Sequence, residues 1–440
     1  MKIIEYTLGL PPFRRGGLPR YSKDLSIELS KKDEVYLLYP GYLNPFSKKI
    51  RVKIRKKDRY PFHLIELENM LPISLGLGLD GKKLDKYCET RDISELKKII
   101  EQVSPKVVHF HTFMGVPKEF LEYLHKRKIK IIFTTHDFYG LCPKMLSKDA
   151  IHALSNSKCT DDCMLCKEGP SYTKLIIMQS HLYKIFKEKK IMKMVRRRSK
   201  EQISFENNNK KRSLLDAKKR FKLYRYYLEM YHFVDKFHFN STVSSNYVKK
   251  FLPKSAGEIL PITHANLIDQ RDSKILKKHD LLRIGYVGPY DHKKGFFRLL
   301  EISKCLNGIS IDFYGDIANN ECFNQQNIWN HGIISADKLK KAYRKMDILV
   351  VPSLWHETFG FVVLEALLQG TPCLVSENVG AKDLVPNNCI FHDDSELIFK
   401  LNDLKNPQKL AELNEKIKTL NVVYKMSDHT NKLRKEFYRS

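Results

Sequence analysis

Long hydrophobic runs are absent from this 440-residue chain, and acidic residues are scarce relative to basic ones. No stretch approaches the roughly 18 consecutive apolar residues that a membrane-spanning helix needs, so the sequence predicts no such helix. The first ten residues, MKIIEYTLGL, include Glu5 and lack the pattern of a cleavable signal, so we expect a first β-strand there. The 50 Asp and Glu against 78 Lys and Arg leave a net charge of +28. This excess indicates an anionic partner, which is nucleic acid, an anionic membrane surface or a phosphorylated substrate.

The signatures of several enzyme classes are also missing. The chain has no Ser-His-Asp set, no Walker phosphate loop and no H-E-x-x-H metal motif. Its nine cysteines are scattered, which is typical of proteins from a reducing compartment, so we expect a cytoplasmic protein. A length of 440 residues with 42% hydrophobic residues predicts two or three globular domains, each with its own core.

Short apolar runs alternate with helical patterns in both halves of the chain, which is typical of two doubly wound α/β sheets. In the first half we predict a helix at 18–30 and strands at 2–8, 34–39, 107–112 and 130–135. In the second half we predict strands at 282–288, 311–314 and 347–352.

Residues 260–280 lack a clear periodicity and are predicted to link the two units. We therefore place one domain at 1–262, with an insertion at about 140–230, and a second domain at 263–425. A C-terminal helix at about 426–440 is expected to pack back on the first domain.

Residues 347–379 are the most informative stretch, because they predict a buried strand, a polar loop and an apolar helix. Glu357 lies in the loop and Glu365 lies in the helix predicted at 361–368. Buried carboxylates need partners, and neither has a Lys or Arg beside it in the sequence. An ionised carboxylate only accepts hydrogen bonds, which suits the paired hydroxyls of a sugar. The N–H groups at the start of the helix, at Thr358, Phe359 and Gly360, favour phosphate or another electron-rich oxygen.

The segment ETFGFVVLE from Glu357 to Glu365, followed by Gly370-Thr-Pro372, resembles the E-x7-E signature of retaining glycosyltransferase family 4. The resemblance implies the GT-B fold, in which two Rossmann-like doubly wound domains face each other across a cleft. It also implies that Glu357 holds the donor sugar and that Glu365 holds the ribose of the nucleotide.

Two glycine-bearing loops resemble other parts of that family's donor site. The loop GPYDHKKG, from Gly288 to Gly295, resembles the family's G-R-x-x-x-x-K-G loop, whose Lys contacts the donor phosphates. Lys294 inherits that role. A Gly-Gly loop after the first strand borders the cleft near the diphosphate in the family, and Gly16 and Gly17 match it, although a plain turn is an equally good interpretation of two glycines.

The family's Arg next to the first glycine of the phosphate loop is Pro289 in this chain. A diphosphate bound to this loop would therefore have one cationic residue fewer to neutralise its charge. The candidates to supply it are Arg14, Arg15, Arg20, His292 and Lys293.

Histidines follow two of the predicted strands of the first domain, where ligands of open α/β sheets bind. Thr135-His136-Asp137 matches a position at which a histidine of the family contacts the donor sugar, so His136 is expected to do so and His111 to line the cleft. A hydrogen-bonded structural histidine is the alternative for both. In this family the departing diphosphate is thought to take the acceptor's proton. The resemblance therefore gives Glu357, His136 and Lys294 positioning and electrostatic roles, with no cofactor required for catalysis.

The insertion at about 140–230 has two features of its own. Cys142, Cys159, Cys163 and Cys166 lie close together, which suggests a structural zinc site, but the loose spacing leaves unliganded thiols or disulfides open. Residues 184–225 hold 17 Lys and Arg against four Asp and Glu. Apolar residues recur at helical spacing just before and into this stretch, at Leu175, Ile176, Met178, Leu182, Ile185 and Phe186. A basic amphipathic helix is typical of association with an anionic membrane surface, although a charge run is also often a solvated face.

The sequence therefore predicts a retaining, hexosyltransferase-like enzyme that moves a sugar from a nucleotide-diphosphate sugar to a glycan or lipid-linked acceptor. We expect it to act in cell-surface polysaccharide synthesis, as a peripheral protein at the inner face of the membrane, with no nucleic-acid partner. The alternatives are a nucleotide-sugar epimerase of the same fold and a basic nucleic-acid-binding protein.

Overall fold

The computed structural model describes residues 1–10, 14, 16–55, 59–73, 83–141, 171–187, 214–275, 280–316 and 321–439. The four cysteines of the predicted zinc site, Arg15, and the part of the basic insertion at 188–213 lie outside these residues. The zinc prediction therefore stays a prediction.

The first α/β unit is built on an eight-stranded sheet with the strand order β3-β4-β2-β1-β5-β6-β7-β8. Neighbouring strands are parallel except for β3 and β4, which are antiparallel at one edge. The strands are β1 Lys2–Tyr6, β2 Glu34–Pro40, β3 Arg51–Arg55, β4 His63–Glu68, β5 Val107–Phe110, β6 Lys130–Thr134, β7 Lys236–Phe239 and β8 Gly257–Ile259.

The second unit has a six-stranded sheet with the order β11-β10-β9-β12-β13-β14, in which all neighbours are parallel. Its strands are β9 Leu282–Val287, β10 Ile309–Tyr314, β11 Ile328–Asn330, β12 Ile348–Val351, β13 Cys373–Ser376 and β14 Ile390–Phe391. The two doubly wound sheets predicted from the sequence are confirmed.

Helices cover both sheets and form the crossovers that parallel strands require. Those of the first unit are α1 Gly17–Leu29, α2 Ser94–Val103, α3 Lys118–Lys126, α4 Tyr172–Met178, α5 His181–Lys187, α6 Leu214–Tyr231 and α7 Thr242–Phe251. The later ones are α8 Phe296–Lys304, α9 Ala336–Lys345, α10 Phe361–Leu368, α11 Asp394–Asp403, α12 Pro407–Lys418 and α13 Met426–Leu433. A π-helical turn, Arg434–Tyr438, follows α13 directly.

The amphipathic pattern of the insertion forms two short helices and not one continuous helix. The chain turns at Gln179 and Ser180, between α4 and α5. The side-chain amide of Gln179 bonds both the N–H and the carbonyl of Ile73, and Ser180 Oγ accepts from the N–H of Tyr183 at the start of the next helix. These side-chain bonds to the backbone end one helix and start the other, which apolar spacing alone did not reveal.

A hydrophobic cluster joins the two units and the end of the chain. It contains Ile3 and Tyr21 of the first unit, Leu260 of the linker, Leu364 of α10 and Phe437 of the last turn, all of them buried. The segment Met426–Tyr438 thus lies against the first unit, where Arg434 also pairs with Asp33 at 3.0 Å. Within the described ranges, no helix is both long enough and apolar enough to span a bilayer.

Candidate active site in the interdomain cleft

A cavity of about 160 Å³ lies at the carboxyl ends of β9 and β12, where open α/β sheets bind their ligands. It brings together residues that are far apart in the sequence but were predicted to act together: Gly288, Lys294, Glu357 and Gly360. The cavity is also lined by Pro289 and by the first residues of α10, so the start of that helix faces the cavity.

The loop between β9 and α8 places Lys294 by two local constraints. The Lys294 N–H donates to Asp291 Oδ1 at 2.8 Å, which closes a tight turn within the loop. Gly295 follows with φ of +73°, and a Cβ there would collide with the carbonyl oxygen of Pro352. Only glycine therefore lets this loop approach the loop that carries Glu357 so closely.

The two oxygens of Glu357 are both engaged. Lys294 Nζ lies 2.9 Å from Glu357 Oε2, and Ser353 Oγ donates to Oε1. The Glu357 backbone is held by Asn378, whose carbonyl accepts from its N–H at 2.9 Å. The cation that the neighbouring sequence lacks thus comes from the β9–α8 loop. Lys294, predicted to contact phosphate, and Glu357, predicted to hold the sugar, form an ion pair with each other.

Glu365 obtains its partners from the first domain and from the linker. Arg20 Nη1 of α1 donates to Glu365 Oε1 at 3.0 Å, and His264 Nε2 lies 2.9 Å from the same oxygen. Tyr343 donates its hydroxyl to Oε2 at 3.2 Å. Burial raises the pKa of Glu365, but the hydrogen bond and charge of His264 and the charge of Arg20 outweigh burial, so its pKa lies below the usual range. Oε2 keeps a lone-pair direction for a further donor such as a ribose hydroxyl.

The loop after β1 reaches the same place from the first domain. Gly16 precedes α1 with φ of +131°, and a Cβ on Gly17 would touch the ring of Phe361 at 3.1 Å. Arg14 lies in this loop, and burial lowers the pKa of its guanidinium. No ion pair of Arg14 is found among the described residues, whereas Arg20 is already paired with Glu365.

Hydrogen bonds hold the two domains together beside the cavity. Thr358 Oγ1 donates to the carbonyl of His136 at 3.0 Å, and Ser241 Oγ donates to the carbonyl of Thr358 at 2.6 Å. Asp383 of the second domain accepts from both the N–H and the hydroxyl of Thr242, at the start of α7. The backbone of His136 is therefore bonded to Thr358, the residue next to Glu357. The contact of His136 with a donor sugar stays a prediction.

His136 is partly exposed, and two fully buried groups stand behind it. His111 Nδ1 lies 3.2 Å from His136 Nε2, and His111 Nε2 lies 2.5 Å from Glu5 Oε2. His111 thus reaches the cleft only through His136. Glu5, His109 and His111 are close enough to hold a metal ion, but their ring nitrogens and carboxylate oxygens are already hydrogen-bonded to one another and to Tyr438 and Thr134.

The remaining candidates surround the site without entering the cavity. Lys293 lies over the ring of Trp355, 5.3 Å from its centroid, and the His292 ring packs on Phe297. Phe359 is buried in the cluster that joins the domains. The sequence analysis missed Ser353 as a partner of Glu357, and Tyr343 and His264 as partners of Glu365. No local signal marks them, because each acts on a carboxylate distant in the chain or on another turn.

Residues 268–420 match the family model described as "Glycosyl transferases group 1". Two curated relatives share shorter stretches. An uncharacterized glycosyltransferase of Methanocaldococcus jannaschii, MJ1607, is 43% identical over 54 residues, which are 12% of this chain and 14% of that protein. The sulfoquinovosyl transferase SQD2 of Arabidopsis thaliana is 35% identical over 89 residues, which are 20% of this chain and 16% of that protein. The matches thus span about a seventh of either relative's length.

The fold is GT-B. The structure of Anabaena HepE in complex with UDP and glucose superimposes with a TM-score of 0.55 and covers 100% of both chains at 13% sequence identity. At this identity the likeness extends to the fold, and the site must be argued from the residues of this chain.

We predict that the protein loses stability steeply as the pH falls from 7 to 5. Burial lowers the pKa of His111 to about 4 and that of His429 to about 3, and burial also holds His136 and His238 well below the ordinary 6.5. Below about pH 6.5 these histidines are therefore protonated in the unfolded chain but stay neutral in the folded protein. Each such histidine makes the free energy of unfolding fall by about 1.4 kcal/mol per pH unit in that window.

Thermal or urea unfolding at several pH values measures this slope. His429→Gln, which removes one protonation site from the unfolded chain, should flatten the slope, while His392→Gln, at an exposed histidine, should not. A stability that is level between pH 7 and 5 would contradict the prediction.

Proposed function

We propose that the protein is a retaining glycosyltransferase that moves a hexose from a nucleotide-diphosphate sugar to a glycan or lipid-linked acceptor. The Lys294–Glu357 ion pair inside the cavity carries the proposal. A cation suited to phosphate and a carboxylate suited to sugar hydroxyls stand 2.9 Å apart, at the start of α10. When a donor binds, Lys294 leaves Glu357 and pairs with the diphosphate of the donor. Glu357 is then free to accept hydrogen bonds from the sugar hydroxyls.

The chemistry follows from this placement. Lys294 and the N–H groups at the start of α10 stabilise the charge that develops on the departing diphosphate. Glu357, and His136 whose carbonyl is bonded to the neighbouring Thr358, orient the sugar so that the acceptor approaches from the side of the leaving group. No step needs a metal or an organic cofactor.

The match of residues 268–420 to a glycosyl transferase family supports this function over a nucleic-acid-binding protein. An epimerase of the same fold would need no acceptor. The product formed with and without a glycan acceptor separates the two enzymes.

The family's phosphate-binding loop has an Arg where this chain has Pro289. We propose that Arg14 supplies the missing cation. Arg14 lies in the loop before α1, whose first residue, Gly17, lies so near Phe361 that a Cβ there would meet the ring. Arg14 carries a largely desolvated charge, and no acidic partner for it is found in the described residues. A charge in that state favours an anionic ligand. Arg20 is a weaker candidate because Glu365 already uses it.

We propose that the enzyme works at an anionic membrane surface and that the pair of helices α4 and α5 meets it. Ile177, Leu182 and Ile185 of this pair are 53%, 65% and 52% exposed. The loop that carries the fully exposed Phe46 is tied to the pair, since the Leu43 N–H donates to the Gln179 carbonyl at 3.1 Å. Apolar side chains on a strongly basic chain fit the interface of an anionic leaflet.

The first prediction from this function separates the two carboxylates. Glu357→Ala should lower the transfer rate by about a hundredfold. Its affinity for UDP should stay equal or rise, because the change frees Lys294 for phosphate. Glu365→Ala should weaken UDP binding itself by about tenfold, the loss of one charge-assisted hydrogen bond.

Calorimetric titration with UDP, run beside turnover with a panel of nucleotide-sugars, makes the comparison. Glu301→Ala, at an exposed glutamate of α8, is the control and should change neither quantity. Equal loss of UDP affinity in the Glu357 and Glu365 variants would sink the assignment.

The second prediction concerns the diphosphate. Lys294→Ala and Arg14→Ala should each weaken UDP binding by about tenfold or more. Pro289→Arg should restore affinity in the Arg14→Ala background, because it returns a cation to the loop that lacks one. UDP affinity that is unchanged in Arg14→Ala would show that another residue serves the diphosphate.

The third prediction concerns the membrane. Leu182→Glu combined with Ile177→Glu should abolish co-sedimentation with vesicles containing anionic lipid, while activity on a soluble acceptor survives. Ile333→Glu, at a 62% exposed position of the second domain, is the matched control. Wild-type binding should weaken from low to high salt. Binding that ignores both lipid charge and these substitutions would mean that the helix pair faces water.

A further inference from the structure

A chain of buried hydrogen bonds runs through the first sheet and ends at His136. It begins at the carbonyl of Leu260, which can only accept, so His238 Nε2 at 2.7 Å carries the proton. His238 is neutral because burial holds its pKa well below the usual range, and its bare Nδ1 accepts from Thr134 Oγ1 at 2.8 Å. Thr134 has then used its only proton, so it accepts from His109 Nε2 at 2.6 Å.

Further along this series of hydrogen bonds, Tyr438, His109 and His111 surround Glu5. Tyr438 donates its hydroxyl to Glu5 Oε1 at 2.9 Å, so the proton between His109 Nδ1 and the Tyr438 oxygen, 2.7 Å apart, comes from His109. His109 Nδ1 also lies 3.4 Å from Glu5 Oε1. Burial raises the pKa of Glu5, but the charge and hydrogen bonds of His109 and His111 lower it to about 2. Glu5 is thus a fully buried, ionised carboxylate that accepts hydrogen bonds from the groups around it.

An ionised Glu5 dictates the protons on the next two histidines. A carboxylate only accepts, so His111 Nε2, 2.5 Å from Glu5 Oε2, carries a proton. Burial lowers the pKa of His111 to about 4, so the ring is neutral and its Nδ1 is bare. His136 Nε2, 3.2 Å from that Nδ1, must then donate to it. Neutral His136 is left with an unprotonated Nδ1, and the ring's hydrogen bond found in the described part of the chain uses Nε2.

We propose that Glu5 and His111 are positioning residues, which hold the His136 ring in one orientation and keep its Nδ1 as a hydrogen-bond acceptor toward the cleft. A donor-sugar hydroxyl is the group that Nδ1 receives. The role toward the sugar rests on the proposed function, whereas the fixed tautomer does not. Tyr438 extends this hydrogen-bond network to the last turn of the polypeptide, because its hydroxyl bonds Glu5 of β1 and His109 of β5.

The tautomer is measured in the free protein by NMR of a sample with ¹⁵N-labelled histidine, with His136→Gln and His111→Gln used for assignment. At pH 7 and at pH 5.5 we expect both rings to be neutral and protonated on Nε2, with the His111 Nε2 proton at unusually low field. A proton on His136 Nδ1, or a charged His111 at pH 5.5, would overturn the proposal even if the protein transfers sugar.

Kinetics test the positioning role. Glu5→Gln should lower kcat on the order of ten- to a hundredfold with little change in the KM for the donor or in UDP affinity. It should also abolish the low-field proton. Glu5→Asp should recover part of kcat. Glu66→Gln is the matched control, because Glu66 is a buried carboxylate of the same sheet that pairs with Arg55 and Tyr39.

If Glu66→Gln lowers kcat as much as Glu5→Gln does, or if the low-field proton survives in Glu5→Gln, the positioning role is wrong. Tyr438→Phe covers the case in which Glu5→Gln does not fold, and it should lower kcat in the same direction by a smaller factor. Failure of the function itself shows differently, because Glu357→Ala would then leave activity unchanged while the wild-type tautomers stay as stated.

Discussion

Three carboxylates that are largely shielded from water set the constraint that organises this molecule: Glu5 is fully buried, and Glu357 and Glu365 are half-buried. Glu5 lies in the middle of a buried strand, Glu357 in a loop beside an apolar cavity and Glu365 in an apolar helix. A desolvated carboxylate destabilises the fold unless cations or hydrogen-bond donors meet it. None of the three finds a cation beside it in the sequence, so each recruits partners from a distant element. Those long-range pairs draw together the linker, the first helix, the phosphate loop and the end of the chain.

The three carboxylates differ in what the pairing leaves available. Glu5 has no solvent contact, and its partners surround it, so it can act only through them. Glu365 joins the domains through Arg20 and keeps an acceptor direction on one oxygen. Glu357 is held by Lys294, a cation that a diphosphate can draw away. The same electrostatic requirement therefore gives a fully buried group at Glu5, a link between the domains at Glu365 and, as we propose, a ligand site at Glu357.

Sequence alone predicted those parts of the site whose residues lie within one loop or one strand–helix unit. Strand β9 and the helix Phe361–Leu368 follow from local apolar patterns. Gly288, Lys294, Glu357 and Glu365 follow from the resemblance to two signatures of a glycosyltransferase family. The edge pair β3 and β4 was missed because β3 alternates charged with apolar residues and stays exposed. His264 was missed because it lies in a linker without periodicity. Glu5 counted only as evidence against a signal peptide, although a carboxylate within an apolar strand is itself the mark of a buried polar network.

The direction of the hydrogen bonds explains why the far end of the chain matters to a site made by its two domains. Along the chain of bonds, every proton is assigned once the Leu260 carbonyl is counted as an acceptor and Tyr438 as a donor to Glu5. Without the Leu260 carbonyl the neutral His238 ring could adopt either tautomer, whereas the tautomer of His136 follows from Glu5 through His111. A doubly wound sheet usually serves its ligand through loops at the strand ends. Here the interior of the sheet also acts, because four polar side chains of its strands, with His111 just after β5, form a path from the linker to His136.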